Sequence, residues 1–212
     1  MRGGGLALRL AAPALAVGWL AARIGWTAPE RPWREATGWR RVPPGERPSA
    51  VPPWPAEAGE PPRLTWLGHS GFLVEWHGRR ILLDPHTGAR CTLARRVLER
   101  PLRAADLGAV DAALISHAHY DHLDLPTLAA VPRLDLVVVP AGSERWAARL
   151  PERVRVAGAG LGETVDLAPL AAVAVPAAHN GHRHHPLGGG RRAIGWVLRS
   201  PSAALYFAGD TG

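Results

Sequence analysis

His-Ala-His-Tyr-Asp-His-Leu-Asp, residues 117–124, holds more metal-binding side chains than any other stretch of the chain. It follows residues 111–116, Asp-Ala-Ala-Leu-Ile-Ser, whose apolar character over the length of a strand predicts a buried strand. If the extended geometry continues, His117 and His119 project to one side, because side chains alternate along a strand with period two. A polar helix N-terminus that contains three histidines is the alternative interpretation. The spacing favours a metal site at the exit of a strand.

The second half of the stretch predicts a second metal position. A turn at Tyr120 would let Asp121 and His122 face the same ion, whereas a continuing strand would point them to opposite sides. Imidazole and carboxylate donors without thiolate suit zinc, iron or manganese. We therefore expect two neighbouring metal sites built on one short loop.

Residues 117–122 resemble the His-x-His-x-Asp-His signature of the metallo-β-lactamase superfamily. His179 follows the apolar run 171–176, and Asp210 lies in Phe-Ala-Gly-Asp-Thr-Gly, in the order that the superfamily's pattern requires. A narrower likeness is to zinc hydrolases similar to the N-acylphosphatidylethanolamine-hydrolysing phospholipase D and to the ascorbate-6-phosphate lactonases. This narrower likeness is carried by residues 65–70, 81–85, 119–124 and 209–212.

The resemblance implies an α/β fold of the metallo-β-lactamase type, an αββα sandwich. Strands interleaved with helices after a hairpin-rich start agree with such a layered sandwich. The resemblance also implies a dinuclear zinc hydrolase in which a metal-bridging hydroxide attacks phosphorus or a carbonyl carbon. The metal ligands that it implies are His117, His119 and His179 for the first ion, Asp121 and His122 for the second, and Asp210 as the bridge. Asp121 and His119 are the catalytic candidates.

Two further residues are candidates for supporting the ligands. Asp84 ends a predicted strand and precedes a proline, and the likeness favours a carboxylate that orients the ligand loop or a ligating histidine over a simple turn residue. His69 lies in a Gly-His-Ser turn at another strand end. It could face the metal pocket or serve only as a structural hydrogen-bonding group.

The segment after His179 is predicted to be a loop beside the metals. Arg183 and His184 are candidates for holding an anionic substrate group, because arginine binds phosphate through two parallel hydrogen bonds. A flexible basic loop without such a role is equally compatible with the sequence. Asn180 stands where the phospholipase-like members carry an aromatic residue, so the likeness leaves the substrate open. A lipid phosphodiester is the first expectation, a phosphorylated lactone the second, and a non-catalytic metal-binding fragment the third.

Composition narrows the class of protein. The 212 residues, 47% of them hydrophobic, suit one domain with a real core. The formal charge is +7, and all 25 basic residues are arginines. They are scattered, and no nucleic-acid-reading motif accompanies them, so a nucleic-acid partner is not expected. The single cysteine, Cys91, excludes an internal disulfide.

Three regions are predicted along the chain. Residues 1–26 are an export signal or membrane anchor, although the uninterrupted apolar run 10–22 is short and a weakly amphipathic terminus of a cytoplasmic protein is the alternative. Residues 27–62 are a proline-rich linker or arm. Residues 63–212 are the hydrolase domain. Because a last histidine completes the second metal in the superfamily, this domain is expected to be partial at its C-terminal end.

The remaining patterns give the secondary structure within this domain. Helices are predicted at residues 90–100, 125–131, where Pro126 suits a first turn, and 143–150, with Ser143 as N-cap. Strands are predicted at residues 63–67, 71–76, 80–83, 111–116, 134–139, 153–156, 171–175, 193–199 and 203–207, with a His77-Gly78 turn between the second and third.

Overall fold

The computed structural model describes residues 61–91, 94–96, 102–181, 183 and 192–210. The predicted anchor at 1–26 and nearly all of the predicted linker at 27–62 lie outside these residues. Within the described ranges, no helix has the length and apolar character needed to cross a bilayer.

Twelve strands and two short α-helices make up the described part of the chain, together with a 3-10 helix at Ala104–Leu107. The helices are α1 (Leu125–Ala130) and α2 (Glu144–Ala147). The strands are β1 (Arg63–Gly68), β2 (Gly71–Trp76), β3 (Arg79–Leu83), β4 (Arg90–Cys91), β5 (Ala94–Arg95), β6 (Ala109–Leu114), β7 (Arg133–Pro140), β8 (Arg155–Ala159), β9 (Thr164–Leu167), β10 (Leu170–Asn180), β11 (Arg192–Arg199) and β12 (Ala204–Phe207).

The larger sheet has six strands in the order β1-β2-β3-β6-β7-β8. Its first three strands are antiparallel, whereas β3, β6, β7 and β8 run parallel. His77 and Gly78 join β2 to β3 with φ angles of 47° and 74°. A two-residue hairpin of this type needs positive φ at both positions, so the predicted turn is confirmed. The parallel arrangement brings the ends of β3 and β6, and the residues that follow them, to one edge of the sheet.

The smaller sheet has the order β12-β11-β10-β9 and is antiparallel throughout. Alternate residues of β3, β6 and β7 pack against it, while the intervening residues pack against the 3-10 helix and α1 on the other side. Trp196 of β11 is fully buried between the sheets, and its Nε1 donates to the carbonyl of Ile115 at 3.2 Å. Two sheets with helices outside the larger one form the expected α/β sandwich.

The predicted helix at residues 90–100 is wrong where the structure describes it. β4 and β5 pair as antiparallel strands, and the backbone N–H of Arg96 donates to the carbonyl of Ala89 at 2.9 Å. The Arg96 side chain also donates through Nε to the carbonyl of Gly88 at 3.0 Å. These contacts hold the backbone in a hairpin, and a hairpin is incompatible with helical hydrogen bonding over the same residues.

The two α-helices compare differently with their predicted ranges. α1 agrees with the prediction, and the Asp124 side chain caps it by accepting from the Thr127 N–H at 3.3 Å. α2 has only four residues, and Ser143 occupies its N-cap position without a capping hydrogen bond from its side chain. β9 was not predicted, because Thr164 and Asp166 interrupt its apolar pattern.

Candidate metal centre

The ligand loop, residues 115–124, follows β6 and is anchored to the smaller sheet. β6 ends at Leu114, two residues before the predicted end of the strand. The extended geometry considered for His117 and His119 therefore does not continue through these histidines. Instead, the carbonyl of Ser116 accepts from the Ile194 N–H at 2.9 Å, and the Ala118 N–H donates to the carbonyl of Gly181 at 3.0 Å. A Cβ at Gly181 would lie 2.7 Å from the Cβ of His117, so only glycine permits this approach.

The predicted turn at Tyr120 is present. The carbonyl of His119 accepts from the N–H groups of His122 at 3.3 Å and Leu123 at 2.9 Å. This turn reverses the chain directly after the first two histidines. As a result, Asp121 and His122 face the same pocket as His117 and His119.

Three imidazoles converge to form the first donor group. His119 Nδ1 lies 2.9 Å from His117 Nε2 and 3.3 Å from His179 Nε2. Two nitrogen ligands that each lie about 2.0–2.1 Å from a tetrahedral ion are separated by about 3.3 Å. The group therefore has a spacing that a single metal ion fits. His179 belongs to β10, in the segment between Pro176 and Asn180 where the pairing with β11 shifts register, and not to a loop after a shorter strand.

Asp121 and His122 form the second donor group, and Asp210 lies between the two groups. The Oδ2 atom of Asp121 is 3.7 Å from His122 Nε2. The Oδ2 atom of Asp210 is 3.3 Å from His122 Nε2, 3.9 Å from His179 Nε2 and 4.0 Å from His117 Nε2. One carboxylate oxygen is thus within reach of both groups, as a bridging ligand must be.

Asp84 lies behind both donor groups and is fully buried. Its Oδ2 contacts His122 Nδ1 at 2.6 Å and accepts from Ser116 Oγ at 2.5 Å, while its Oδ1 accepts from the Ser116 N–H at 2.7 Å. Because Ser116 Oγ donates to Asp84, it can accept a hydrogen bond from His117 Nδ1, which lies 2.8 Å away. Both histidines then carry their proton on Nδ1 and leave Nε2 free for a metal.

His69 contacts the second donor group from the exposed side. Its Nε2 lies 2.8 Å from Asp121 Oδ2, and its side chain is 45% exposed. The three residues His69, Asp121 and His122 also place one donor atom each within 4.8 Å of one another. His69 is therefore close enough either to orient the Asp121 carboxylate or to join it in binding a cation.

Burial and neighbouring charges set the protonation of these groups. Burial and the nearby histidines lower the pKa of His117 to about 2 and that of His119 to about 4, so both imidazoles are neutral at pH 7. Burial also disfavours the charged form of His122, but Asp84 and Asp210 outweigh it and raise its pKa to about 10. A metal at His122 must therefore displace a proton.

The two acidic groups are ionised. Burial would raise the pKa of Asp121, but the hydrogen bond from His69 and the charge of His122 outweigh it and hold the pKa well below its usual range. The hydrogen bond from His122 outweighs burial and lowers the pKa of Asp210 to about 2.

These observations fit a pair of metal ions. The first donor group offers three imidazoles, and the second offers an ionised carboxylate and the buried Nε2 of His122, which faces the carboxylate oxygens of Asp210 at 3.3 Å and Asp121 at 3.7 Å. The donor set of nitrogen and carboxylate oxygen suits zinc, iron or manganese.

Of the two candidate substrate-binding residues, Arg183 is described by the structure and His184 is not. Arg183 is 8% exposed, and its Nη1 donates to the carbonyl of Leu123 at 2.7 Å, so the ligand loop covers it. Its predicted contact with a substrate anion stays a prediction. His184 lies outside the described residues. Sequence reasoning missed Ser116, which connects Asp84 to His117, because a serine at a strand end carries no signal for such a contact.

Comparisons with known proteins agree with this fold. A family model described as "Beta-lactamase superfamily domain" matches residues 79–212. An uncharacterized protein of Mycobacterium tuberculosis is 34% identical over 70% of this chain and 42% of its own length. N-acyl-phosphatidylethanolamine-hydrolyzing phospholipase D 1 of Caenorhabditis elegans is 28% identical over 70% of this chain and 46% of its own length. The structure of Igni18, a metallo hydrolase from Ignicoccus hospitalis, is 26% identical, covers 71% of this chain and 61% of its own, and has a TM-score of 0.51.

The chain therefore belongs to the β-lactamase superfamily, and its fold is similar to that of the metallo hydrolase Igni18. The chain spans about half the length of the curated relatives it matches. The family match begins at residue 79, so the predicted start of the domain at residue 63 stays a prediction.

Proposed function

We propose that this chain carries the dinuclear zinc centre of a hydrolase that cleaves an anionic ester, with a lipid phosphodiester as the first candidate substrate. The observation that supports this most directly is the position of Asp210. Its Oδ2 lies within 4.0 Å of a ligand nitrogen from each donor group. A non-catalytic site for one structural ion would have no use for a carboxylate shared in this way.

Each ligand residue has a distinct part in the proposed reaction. When bound, two such ions lower the pKa of a shared water toward neutrality and stabilise negative charge that develops on the attacked ester. His117, His119 and His179 would hold the first ion through their imidazole nitrogens. Asp121 is ionised at neutral pH, so it can both bind the second ion and accept the proton of the attacking water.

The substrate class rests on indirect support. The Caenorhabditis elegans relative is named for the hydrolysis of an N-acyl-phosphatidylethanolamine, which is a lipid phosphodiester. The apolar run in residues 1–26 could hold the enzyme at a membrane surface, and Arg191 and Arg192 suit an anionic group. A phosphorylated lactone is the alternative, because the same nucleophile can attack a carbonyl carbon. Zinc is proposed as the metal, in preference to iron and manganese, because the sequence motifs resemble those of zinc hydrolases.

The proposal is tested by metal analysis and by activity on matched substrates. We expect about two zinc ions per molecule of the full-length gene product after purification without chelator, and zinc-dependent hydrolysis of an aryl phosphodiester by that product. The assays should use both the 212-residue chain and any longer product of its gene. Hydrolysis of a phosphorylated lactone with no phosphodiesterase activity would reverse the order of substrates. A purified protein without bound metal would contradict the proposed centre.

Localisation is a separate part of the proposal. We propose that residues 1–26 attach the protein to a membrane or direct its export, with a cytoplasmic protein as the alternative. Deletion of these residues should move the protein from the membrane fraction to the supernatant after centrifugation. An unchanged distribution would contradict the anchor and leave the metal centre unaffected.

A further inference from the structure

The guanidinium of Arg183 lies under the ligand loop and contacts its backbone at three places. Its Nη1 donates to the carbonyl of Leu123 at 2.7 Å and to that of Ala118 at 3.1 Å, and it lies 3.5 Å from the carbonyl of His119. The Cζ atom is 3.8 Å from the centroid of the Tyr120 ring. The side chain is only 8% exposed.

These contacts connect both ends of the turn that separates the two donor groups. Ala118 lies between His117 and His119 of the first group, and Leu123 directly follows His122. A single nitrogen, Nη1, therefore holds a carbonyl before the turn and a carbonyl after it. Any change in the distance between these two carbonyls would move Asp121 and His122 relative to His117 and His119.

Arginine suits this position for chemical reasons. Burial lowers the pKa of Arg183 from its ordinary value, yet a guanidinium starts so high that it stays charged in proteins. The positive charge is compensated by the carbonyl dipoles and by the face of the Tyr120 ring. A lysine would carry the charge as a compact ammonium without the planar group that stacks on the ring.

We propose that Arg183 is a positioning residue that fixes the ligand loop and so sets the spacing of the two donor groups, and that it does not hold the substrate anion. This inference rests on the proposed function in one respect, because it takes the loop residues to be metal ligands. Its prediction concerns metal binding, which can be measured without any substrate.

The test compares Arg183→Ala and Arg183→Lys with Arg149→Ala in the whole chain. Arg149 is an exposed arginine whose charge acts on Arg183, so its removal changes the local charge without removing a contact to the loop. Zinc affinity is measured by competition with a chelator, and ligand geometry is followed by the visible absorption of the cobalt-substituted protein. We expect both Arg183 variants to bind zinc about 10–100-fold more weakly and to show an altered cobalt spectrum. Arg149→Ala should match the wild type.

Kinetics at saturating zinc then separate positioning from substrate binding. A positioning role lowers turnover and leaves the Michaelis constant for an aryl phosphodiester unchanged, and lysine does not restore turnover. Unchanged zinc affinity with a raised Michaelis constant that lysine restores would overturn the proposal in favour of anion binding. If Arg183→Ala fails to fold by circular dichroism, Arg183→Lys carries the same test. Absence of zinc binding by the wild type would instead refute the proposed function.

Discussion

Asp84 and His122 are both completely buried, and Asp84 Oδ2 lies 2.6 Å from His122 Nδ1. The same carboxylate also receives both hydrogen bonds from Ser116, so it determines which nitrogen of His122, and through Ser116 which nitrogen of His117, faces the metal. One residue behind the pocket thus connects the first donor group to the second. A carboxylate in this position should matter nearly as much as a ligand.

Asp84→Asn should therefore weaken zinc binding about 10–100-fold, because an amide has one acceptor oxygen for three donors. The measurement is chelator competition, with thermal unfolding recorded in excess chelator to report the folded state. Asp135→Asn is the matched control, since Asp135 is exposed and, within the described residues, its carboxylate pairs with Arg133 on the surface. Equal zinc affinity in the wild type and Asp84→Asn would show that the tautomers of His117 and His122 do not depend on the Asp84 carboxylate.

His119→Ala should abolish tight binding at the first donor group and lower hydrolysis by orders of magnitude. Its Nδ1 is the atom that lies near both His117 Nε2 and His179 Nε2, so no neighbouring residue can replace it. Zinc content and turnover on an aryl phosphodiester are the measurements. His77→Ala, in an exposed hairpin turn, serves as control and should leave both unchanged. Full turnover in His119→Ala would place the reaction elsewhere.

Much of this centre could be predicted from local sequence, because its signals are local. The motif at 117–124 supplies four of the proposed ligands within six residues, and the His77-Gly78 turn depends only on its own two φ angles. β4 and β5 could not be predicted, since contacts of Arg96 with residues of the preceding loop stabilise that hairpin. The contacts of Arg183 could not be predicted from the sequence either, because its acceptors are backbone carbonyls, which every residue possesses.

His69→Ala tests whether this residue orients Asp121 or binds a metal itself. We expect zinc stoichiometry to be unchanged and turnover to fall about 10–100-fold, because the Asp121 carboxylate loses the hydrogen bond that orients it. The pKa of Asp121 should rise toward its ordinary value, since the hydrogen bond from His69 lowers it. Metal analysis and turnover are measured together. The loss of one zinc per chain would instead identify His69 as a ligand.

Gly181→Ala should displace the ligand loop. The added Cβ would lie 2.7 Å from His117 Cβ and 3.1 Å from the backbone nitrogen of Ala193, and neither neighbour is the end of a flexible side chain. We expect a loss of about 1–3 kcal/mol in the free energy of unfolding, and weaker zinc binding. Urea denaturation and chelator competition measure the two effects. In the control Gly160→Ala, the added Cβ meets only the carboxylate end of Glu163 at 3.4 Å, so both quantities should stay near wild type.

The stability of the metal-free protein should depend on pH through its buried histidines. Below pH 6.5 the unfolded chain protonates histidines that the native state keeps neutral, because the native pKa values of His117 and His119 are about 2 and about 4. The unfolded state then binds more protons, so stability falls as the pH falls from 6.5 toward 4. His122 acts in the opposite direction. Its native pKa of about 10 exceeds the ordinary value of 6.5, so its contribution is full below pH 6.5 and is lost as the pH rises toward 10.

Stability in excess chelator should therefore pass through a maximum near pH 6.5, measured as the urea midpoint at about pH 5, 6.5 and 8.5. With saturating zinc the alkaline decline should reverse, because deprotonated ligands bind the metal more tightly and binding stabilises the folded state. Asp84→Asn is the control for the alkaline side: without the Asp84 charge the pKa of His122 falls, and the decline above pH 6.5 should flatten. If the urea midpoint of the wild type in excess chelator keeps rising up to pH 8.5, His122 is neutral beside Asp84.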